Sequence, residues 1–521
     1  MPRKIAELLK PSVCSLGYAV FLAVNATGIW GGVFPFLPFE IQTSDVMFWF
    51  YLAQSLMLFA VFTAAGAGSV LRVFGRWRSS ARVIAAAAIY FAGWALLIVA
   101  MYLPGLVVPF VVAGGVFLGL GAGLFYLLWQ RLFAGQQEQA GLHDLIVGFV
   151  YAAVIYAALY LIPRAVTAYL IPLVFLPLFA LALILGNRRG DYSQPMFSDV
   201  PRENLRVYRR ALLGMWRGAV CMGAIALVAG LVRSVAIERP EVGSSVNLLS
   251  MGALLVAGMA VLVLWQLKGV RMNLIKLYQV VFPVIITAFA IAPFVWPGYM
   301  RWLAAGLFAL YSVGLMLTMM QCMQVSRDRG VSPVFAFGFY GGIVYGLHDA
   351  GFIIGNLAER VPLPGLSPAL LTAVLAIYLL ALMFFVTVVN FKRSAAQLLY
   401  GDTIELLTPV EAVQRRPVPQ RPAAQEQKAP ERPAASRRPR AEGGRDFKDR
   451  LDKQLAALQE AYRLSDREVE VAELVVRGNT VARIAERLYI SENTVRTHTK
   501  RIYGKTGVHK KQELVELVES F

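Results

Sequence analysis

The sequence predicts an all-α protein in two unlike parts. A polytopic helical membrane domain of twelve spans, arranged six plus six, precedes a small four-helix unit with a helix-turn-helix. Three observations carry this. The 521-residue chain is 58% hydrophobic with mean hydropathy +0.59, whereas soluble domains sit nearer half apolar. Apolar runs of about twenty residues, enough to cross the hydrocarbon core, recur as far as Val389. After a proline-rich break, residues 446–521 turn polar, with short capped helices and a cationic third one.

The apolar runs fall at about 12–34, 46–71, 81–102, 105–130, 142–162, 165–186, 211–235, 245–266, 277–296, 302–324, 333–357 and 367–391, with a longer polar loop at 187–210. Arg3, Lys4 and Lys10 precede the first run, which continues past Trp30 without a convincing cleavage site, so it reads as an uncleaved membrane helix. With the N-terminus inside, the inner tail and loops hold 19 Lys and Arg, among them Arg72, Arg76, Arg78 and Arg82. The outer loops hold four: Arg164, Arg239, Arg301 and Arg360. That bias places both ends of the membrane region in the cytoplasm. Much of the net charge of +18 sits in those loops and in the C-terminal part, as expected of segments facing anionic lipid or nucleic acid.

Inside the spans, Gly115, Gly119 and Gly123 recur every fourth residue and permit close helix contact, as do Gly342, Gly346, Gly351 and Gly355 in span eleven. Span eleven also carries His348 and Asp349, with Asn356 two turns on. Ionisable groups at that depth are costly and mark functional sites, unless they form a satisfied structural pair. With Asn25 and Gln54, they are the expected polar or ligand site of the membrane domain. Gln321 is a weaker candidate. Arg217 and Arg233, near opposite ends of span seven, are expected to snorkel to the interface.

From Gln414 to Arg445, prolines and like charges every few residues prevent a packed core and predict an extended, disordered linker. Helical spacing returns with Phe447, Leu451, Leu455 and Leu458, a face that either caps the following unit or pairs with a second copy. Ser465 and Glu468 then form a capping box, and Gly478 ends that helix. Thr480 caps a second helix with Ile484, Ala485 and Leu488 on one face. A tight Tyr489-Ile490-Ser491 turn follows, and Ser491 caps a third helix to about Gly504. There Arg496, Thr497, Lys500 and Arg501 make one surface cationic, while Val495 and Ile502 anchor another. Two short helices across a three-residue turn, the second basic, suit the major groove; a solvated basic helix carries the same charges. Leu514, Leu517 and Val518 in the last helix could support a dimer.

The series Arg467-Glu468, Gly478, Ile484-Ala485, Ser491, Thr494-Val495, His498, Lys505, Gly507-Val508 and Glu513 resembles the DNA-binding domain of the LuxR/GerE/NarL family of bacterial transcription regulators. The resemblance implies base contacts from Arg496, Thr497 and Lys500 and backbone contacts from Thr494, Arg501 and Lys505, with Ser491 completing the DNA-binding set. Thr506 replaces a usual Leu and Lys511 a usual Arg, which would loosen the last helix; Arg483 replaces an acidic residue. The six-plus-six layout resembles the major facilitator superfamily. Gly68, Arg72, Gly75, Arg76 and Arg78 follow part of that family's loop signature, but its Asp is absent, which argues against active transport.

Cys14, Cys221 and Cys322 lie far apart in apolar runs, so neither a disulfide framework nor a metal site is expected. Gly504-Lys505-Thr506 ends like a phosphate loop, but Thr499 stands where a glycine is required. No catalytic constellation stands out, and no cofactor is expected. The domains are 1–393 (membrane, sensory), 394–445 (tail and linker) and 446–521 (DNA-binding). The expected protein is a regulator of the bacterial inner membrane, both termini cytoplasmic, sensing a small molecule or membrane state. It would bind double-stranded promoter DNA as a homodimer through the C-terminal domain. A facilitator-type transporter with a fused regulatory domain, and a DNA-binding protein merely anchored by its spans, remain open.

Overall fold

The computed structural model describes residues 9–29, 43–70, 79–192, 194–198, 205–237, 240–268, 272–291, 294, 299–360, 368–389, 403–404, 450–477, 479–488 and 490–520. Among the described residues, a helix overlaps each expected apolar run. The first half holds α1 (Val13–Ile29), α2 (Ser44–Val70), α3 (Ser79–Tyr102), α4 (Val107–Gly135), α5 (Glu138–Tyr160) and α6 (Arg164–Leu170), which runs through a π turn at Ile171–Phe175 into α7 (Leu176–Arg189). The second half holds α8 (Leu205–Ile237), α9 (Pro240–Lys268), α10 (Leu274–Ile291), α11 (Tyr299–Arg329), α12 (Pro333–Arg360) and α13 (Pro368–Val389). Among the described residues, nine of these segments are long and apolar enough to cross a membrane. The apolar parts of α1 and α9 are shorter, and α12 carries His348 and Asp349 near its middle. The chain is a multi-pass membrane protein.

The two halves are built alike. Across the seam α2 packs on α12 and α5 on α9, which are spans two and eleven, and five and eight. A shift of six spans interchanges these pairs. The same shift carries the α1–α5 contact onto α8–α12, and the α2–α4 contact onto α9–α11.

Glycines set the closest approaches. A Cβ on Gly119 would strike the Gln54 carbonyl of α2, and one on Gly351 would strike the Leu227 carbonyl of α8. Gly230 of α8 meets the His348 carbonyl in the same way, so α8 and α12 touch backbone to backbone beside the charged pair. Two arginines tie the halves at opposite ends of the bundle. Arg327 of α11 donates to the carbonyls of Phe133, Ala134 and Gln136 at the end of α4, at 3.0, 3.3 and 2.7 Å. These carbonyls have no partner within their own helix. At the other end Arg360 pairs with Asp45 at 2.7 Å.

The fold is all-α, and the described residues add to it one two-residue ladder. β1 (Met272–Asn273) pairs antiparallel with β2 (Thr403–Ile404), bringing the chain after the last span back to the loop before α10. The C-terminal helices are α14 (Arg450–Tyr462), α15 (Asp466–Val476), α16 (Val481–Leu488), α17 (Glu492–Thr506) and α18 (Lys511–Ser520). The linker 414–445, Arg72, Gly75, Arg76, Arg78, Phe447, Gly478 and Tyr489 lie outside the described residues.

Gly351→Val is expected to lower the thermal stability of the detergent-solubilised protein by about 1–3 kcal/mol or more through overpacking. Gly306→Ala, where a Cβ meets nothing within 4 Å, should leave it unchanged or slightly higher. Equal stability of the two variants would contradict the close α8–α12 approach.

Candidate functional site

The C-terminal unit is assembled from its caps. Ser465 Oγ accepts from the Glu468 N–H at 3.3 Å, and Glu468 Oε2 accepts from the Ser465 N–H at 2.8 Å, so the expected capping box starts α15. Thr480 Oγ1 accepts from the Arg483 N–H at 3.4 Å and opens α16. The Ile490 N–H closes the following turn on the Ala485 carbonyl at 3.0 Å. Ser491 Oγ accepts from the Thr494 N–H at 3.1 Å and starts α17. That helix runs on to Thr506, past the expected end at Gly504, because the left-handed residue is Gly507, at φ 72°.

Val495 and Ile502 are both 0% exposed, packed with Val471, Ile484, Leu514 and Val518. Leu451, Leu455 and Leu458 join the same core, so α14 caps this unit. Leu514 and Val518 are likewise used internally, which leaves only half-buried Leu517 of the three residues expected to support a dimer. The expected loosening of α18 is not seen. Thr506 is buried with its hydroxyl donating to the Ile502 carbonyl at 2.7 Å, and Lys511 Nζ donates to the Asn479 carbonyl at 3.3 Å.

The charged residues divide into two sets. Lys505 Nζ lies 2.6 Å from Glu468 Oε2 and donates to the Arg463 carbonyl at 3.1 Å, tying α17 to the start of α15. Arg467 pairs with Glu470 at 2.6 Å and donates to the Leu488 carbonyl at the end of α16. Arg496, Thr497, Lys500 and Arg501 are exposed. Arg496 makes a 3.3 Å exposed pair with Glu492, and Thr497 Oγ1 donates to the Asn493 carbonyl. Lys500 and Arg501 hold no hydrogen bond or ion pair among the described residues. Burial pushes the Glu468 carboxyl up, but hydrogen bonds from Lys505 and Ser465 outweigh it and hold it below the usual carboxylate range. The His509 N–H does the same for Glu513 at the start of α18.

In the membrane domain the expected polar residues do not all meet. His348 Nδ1 lies 3.3 Å from Asp349 Oδ1, both residues buried, while Asp349 Oδ2 is buried with no hydrogen-bond partner among the described residues. Arg233 of α8 joins them. It does not snorkel: it is 6% exposed, with its guanidinium 3.9 Å from the Tyr51 ring centroid and 5.8 Å from that of Phe352. Tyr311, Asp349 and Tyr345 lie within its electrostatic reach. Aromatic faces and a carboxylate stand in for the water that snorkelling would supply. Sequence reasoning missed this role because the partners come from three other helices, α2, α11 and α12. Arg217 is half-buried beside Trp216.

Asn25 lies apart, donating to the Phe21 carbonyl at 2.8 Å and accepting from the Tyr90 hydroxyl at 3.4 Å. With Leu22, Phe62, Tyr126, Met319 and Tyr345 it lines a cavity of about 60 Å³ between the halves. Tyr345 belongs to both the cavity and the charged cluster. Gln54 is buried against Gly119, and Asn356 is half-buried farther along α12; neither is among the groups the structure places around Arg233. The amide of Gln321 is buried without a hydrogen-bond partner at either end among the described residues.

Residues 462–518 match the family model for bacterial regulatory proteins, luxR family. The spore germination protein GerE of Bacillus subtilis (strain 168) is 46% identical over 56 residues, which make up 11% of this chain and 76% of GerE. The chain belongs to the luxR family of bacterial regulatory proteins. Another relative of this luxR-family chain, the Fimbriae Z protein of Escherichia coli (strain K12), is 38% identical over 58 residues, and the chain spans 28% of its length. The membrane domain is similar to the E. coli fucose:proton symporter FucP, at 15% identity and TM-score 0.47 over 72% of this chain and 97% of that one. It is also similar to a bacterial homologue of the iron transporter ferroportin, at 13% identity and TM-score 0.47 over 72% and 98%.

A carboxyl held below its unfolded value contributes stability above that value and loses it as pH falls through the folded one. The 446–521 fragment should therefore lose stability below about pH 4, and Glu468→Gln should melt several degrees lower at neutral pH with a flatter acid dependence. Identical pH profiles of melting temperature would contradict the Glu468–Lys505 brace.

Proposed function

We propose that this chain is a membrane-embedded transcription regulator, with α17 reading promoter DNA and the membrane domain sensing a small molecule. The observation that carries the reading is the exposed cationic face of α17, braced from behind, on a luxR-family unit that shares its chain with a multi-pass membrane domain. In this reading Arg496, Thr497 and Lys500 contact base edges, and Ser491, Thr494 and Arg501 the phosphates. Lys505 contributes by fixing the angle of α17 as well as by its charge. The excess of Lys and Arg on one side supports a cytoplasmic DNA-binding domain at the inner membrane. Two copies on DNA would form a dimer, as half-site recognition requires.

The sensory site is the Arg233–His348–Asp349 cluster, because buried ionisable groups inside a membrane domain are retained at a cost. The composition of 414–445 limits how a signal travels. Regulation then runs through dimerisation, local concentration or release from a surface.

Arg496→Ala and Lys500→Ala should each weaken specific promoter binding by about 1–3 kcal/mol, while Arg501→Ala lowers affinity uniformly and reduces the salt slope by about 1. Unchanged affinity in both base-edge variants would remove that assignment. In a promoter-reporter screen, a compound should alter output with the intact chain and not with residues 446–521 alone. Equal behaviour under every compound would favour an anchor or an independent transporter.

A further inference from the structure

The last turn of α11 joins parts of the molecule that are far apart in sequence. Arg327 reaches across the seam to the carbonyls that end α4, at 2.7 Å to that of Gln136. Three residues on, Gly330 stops the helix in the left-handed region, at φ 65°. The Ser332 N–H then donates to the Tyr208 hydroxyl of α8 at 3.0 Å. The DNA-binding unit meets the same turn. A Cβ on Gly330 would strike Nη1 of Arg477, the residue at the C-terminal cap of α15, and α14 packs against α11. β2, in the chain that follows the last span, packs against α11 as well.

We propose that the end of α11, from Arg327 to Ser332, is a docking surface for the DNA-binding unit of the same chain, and that this dock carries the state of the membrane domain to that unit. The turn holds the first half through Arg327 and the DNA-binding unit at Arg477. A shift of the two halves against each other at this seam therefore moves the dock, and the signal does not travel along 414–445. This deepens, and rests on, the reading of the chain as a membrane-embedded regulator.

Three features fit a built contact rather than a chance one. Arg477 is 7% exposed, an uncommon burial for an arginine at a helix end, and its Nε is held on Glu473 at 2.8 Å. Its other end lies where α11 stops, so a cation sits at the negative end of that helix, beside carbonyls that lack partners within it. Glycine at position 330 serves both needs: it adopts the left-handed turn, and it leaves room for the guanidinium. The topology agrees. α11 is span ten, and in the orientation that the loop charges favour, even-numbered spans end in the cytoplasm, where the DNA-binding unit lies. Arg496, Lys500 and Arg501 stay exposed in the docked unit. The dock therefore restrains the position of the unit without covering those residues, and release gives two units the freedom to meet on paired half-sites.

The test is a spin-label distance measurement on the full chain in lipid nanodiscs. Labels go on Arg188→Cys in the membrane domain and Lys500→Cys in the DNA-binding unit, both exposed positions, while the three native cysteines are buried. A docked unit gives one narrow distance distribution, and Arg477→Gln should broaden it. A broad distribution without Arg477→Gln overturns the dock, and that arm needs no further substitution. A narrow distribution that Arg477→Gln leaves unchanged overturns the role of Arg477. For the route, Arg477→Gln and Arg327→Gln are each made in the otherwise native chain. Both should abolish the compound-dependent change in promoter occupancy while altering specific DNA affinity by about twofold or less, as expected of sites remote from the reading face. Arg327→Gln lies outside the DNA-binding unit, so it tests the route even where Arg477→Gln weakens that unit. A compound response that persists in both variants overturns the route. A narrow distribution in a chain that answers no compound would sink the regulator reading and keep the dock. A compound response with a broad distribution would do the reverse.

Discussion

Inside hydrocarbon no water answers a stray polar group, and the membrane domain is shaped by that constraint. Its spans are helical, and the buried end of α4 takes its partner from a helix of the other half. Arg327 answers the last carbonyls of α4 across the seam, and Arg360 closes the opposite end on Asp45. Within the second half, Gly230 and Gly351 bring α8 and α12 together backbone to backbone beside Arg233 and Asp349. Close backbone contact and buried charge thus occur at the same level of the bundle.

The DNA-binding unit solves the complementary problem, keeping a charged face outside. Its third helix is gripped along one side by Val495 and Ile502 and fastened by Lys505 to a buried carboxylate that also caps α15. Glu468 therefore links the start of the first helix to the end of the third. Arg467, its neighbour in sequence, braces the end of the second. With position set by these internal contacts, Arg496, Lys500 and Arg501 remain available to a partner.

Much of this was legible in the sequence because it is local. Apolar runs located the spans, and Ser465, Thr480 and Ser491 marked helix starts that the structure reproduces. The end of α17 was misplaced because either Gly504 or Gly507 could end it, and only backbone conformation tells them apart. Arg233 was misread for a different reason. Position near a span end favours snorkelling, and its burial depends on Tyr51, Tyr311 and Asp349, distant in sequence. The β1–β2 pair, two residues on each strand, has no periodicity to detect.

The most direct measurement is promoter occupancy in cells by the full chain and by its Asp349→Asn form, with and without an inducing compound. If the membrane cluster controls the DNA-binding unit, the substitution alters the compound-dependent change in occupancy although Asp349 lies in another domain. Occupancy that responds identically in both forms, at equal protein level, would contradict control of DNA binding by the buried cluster.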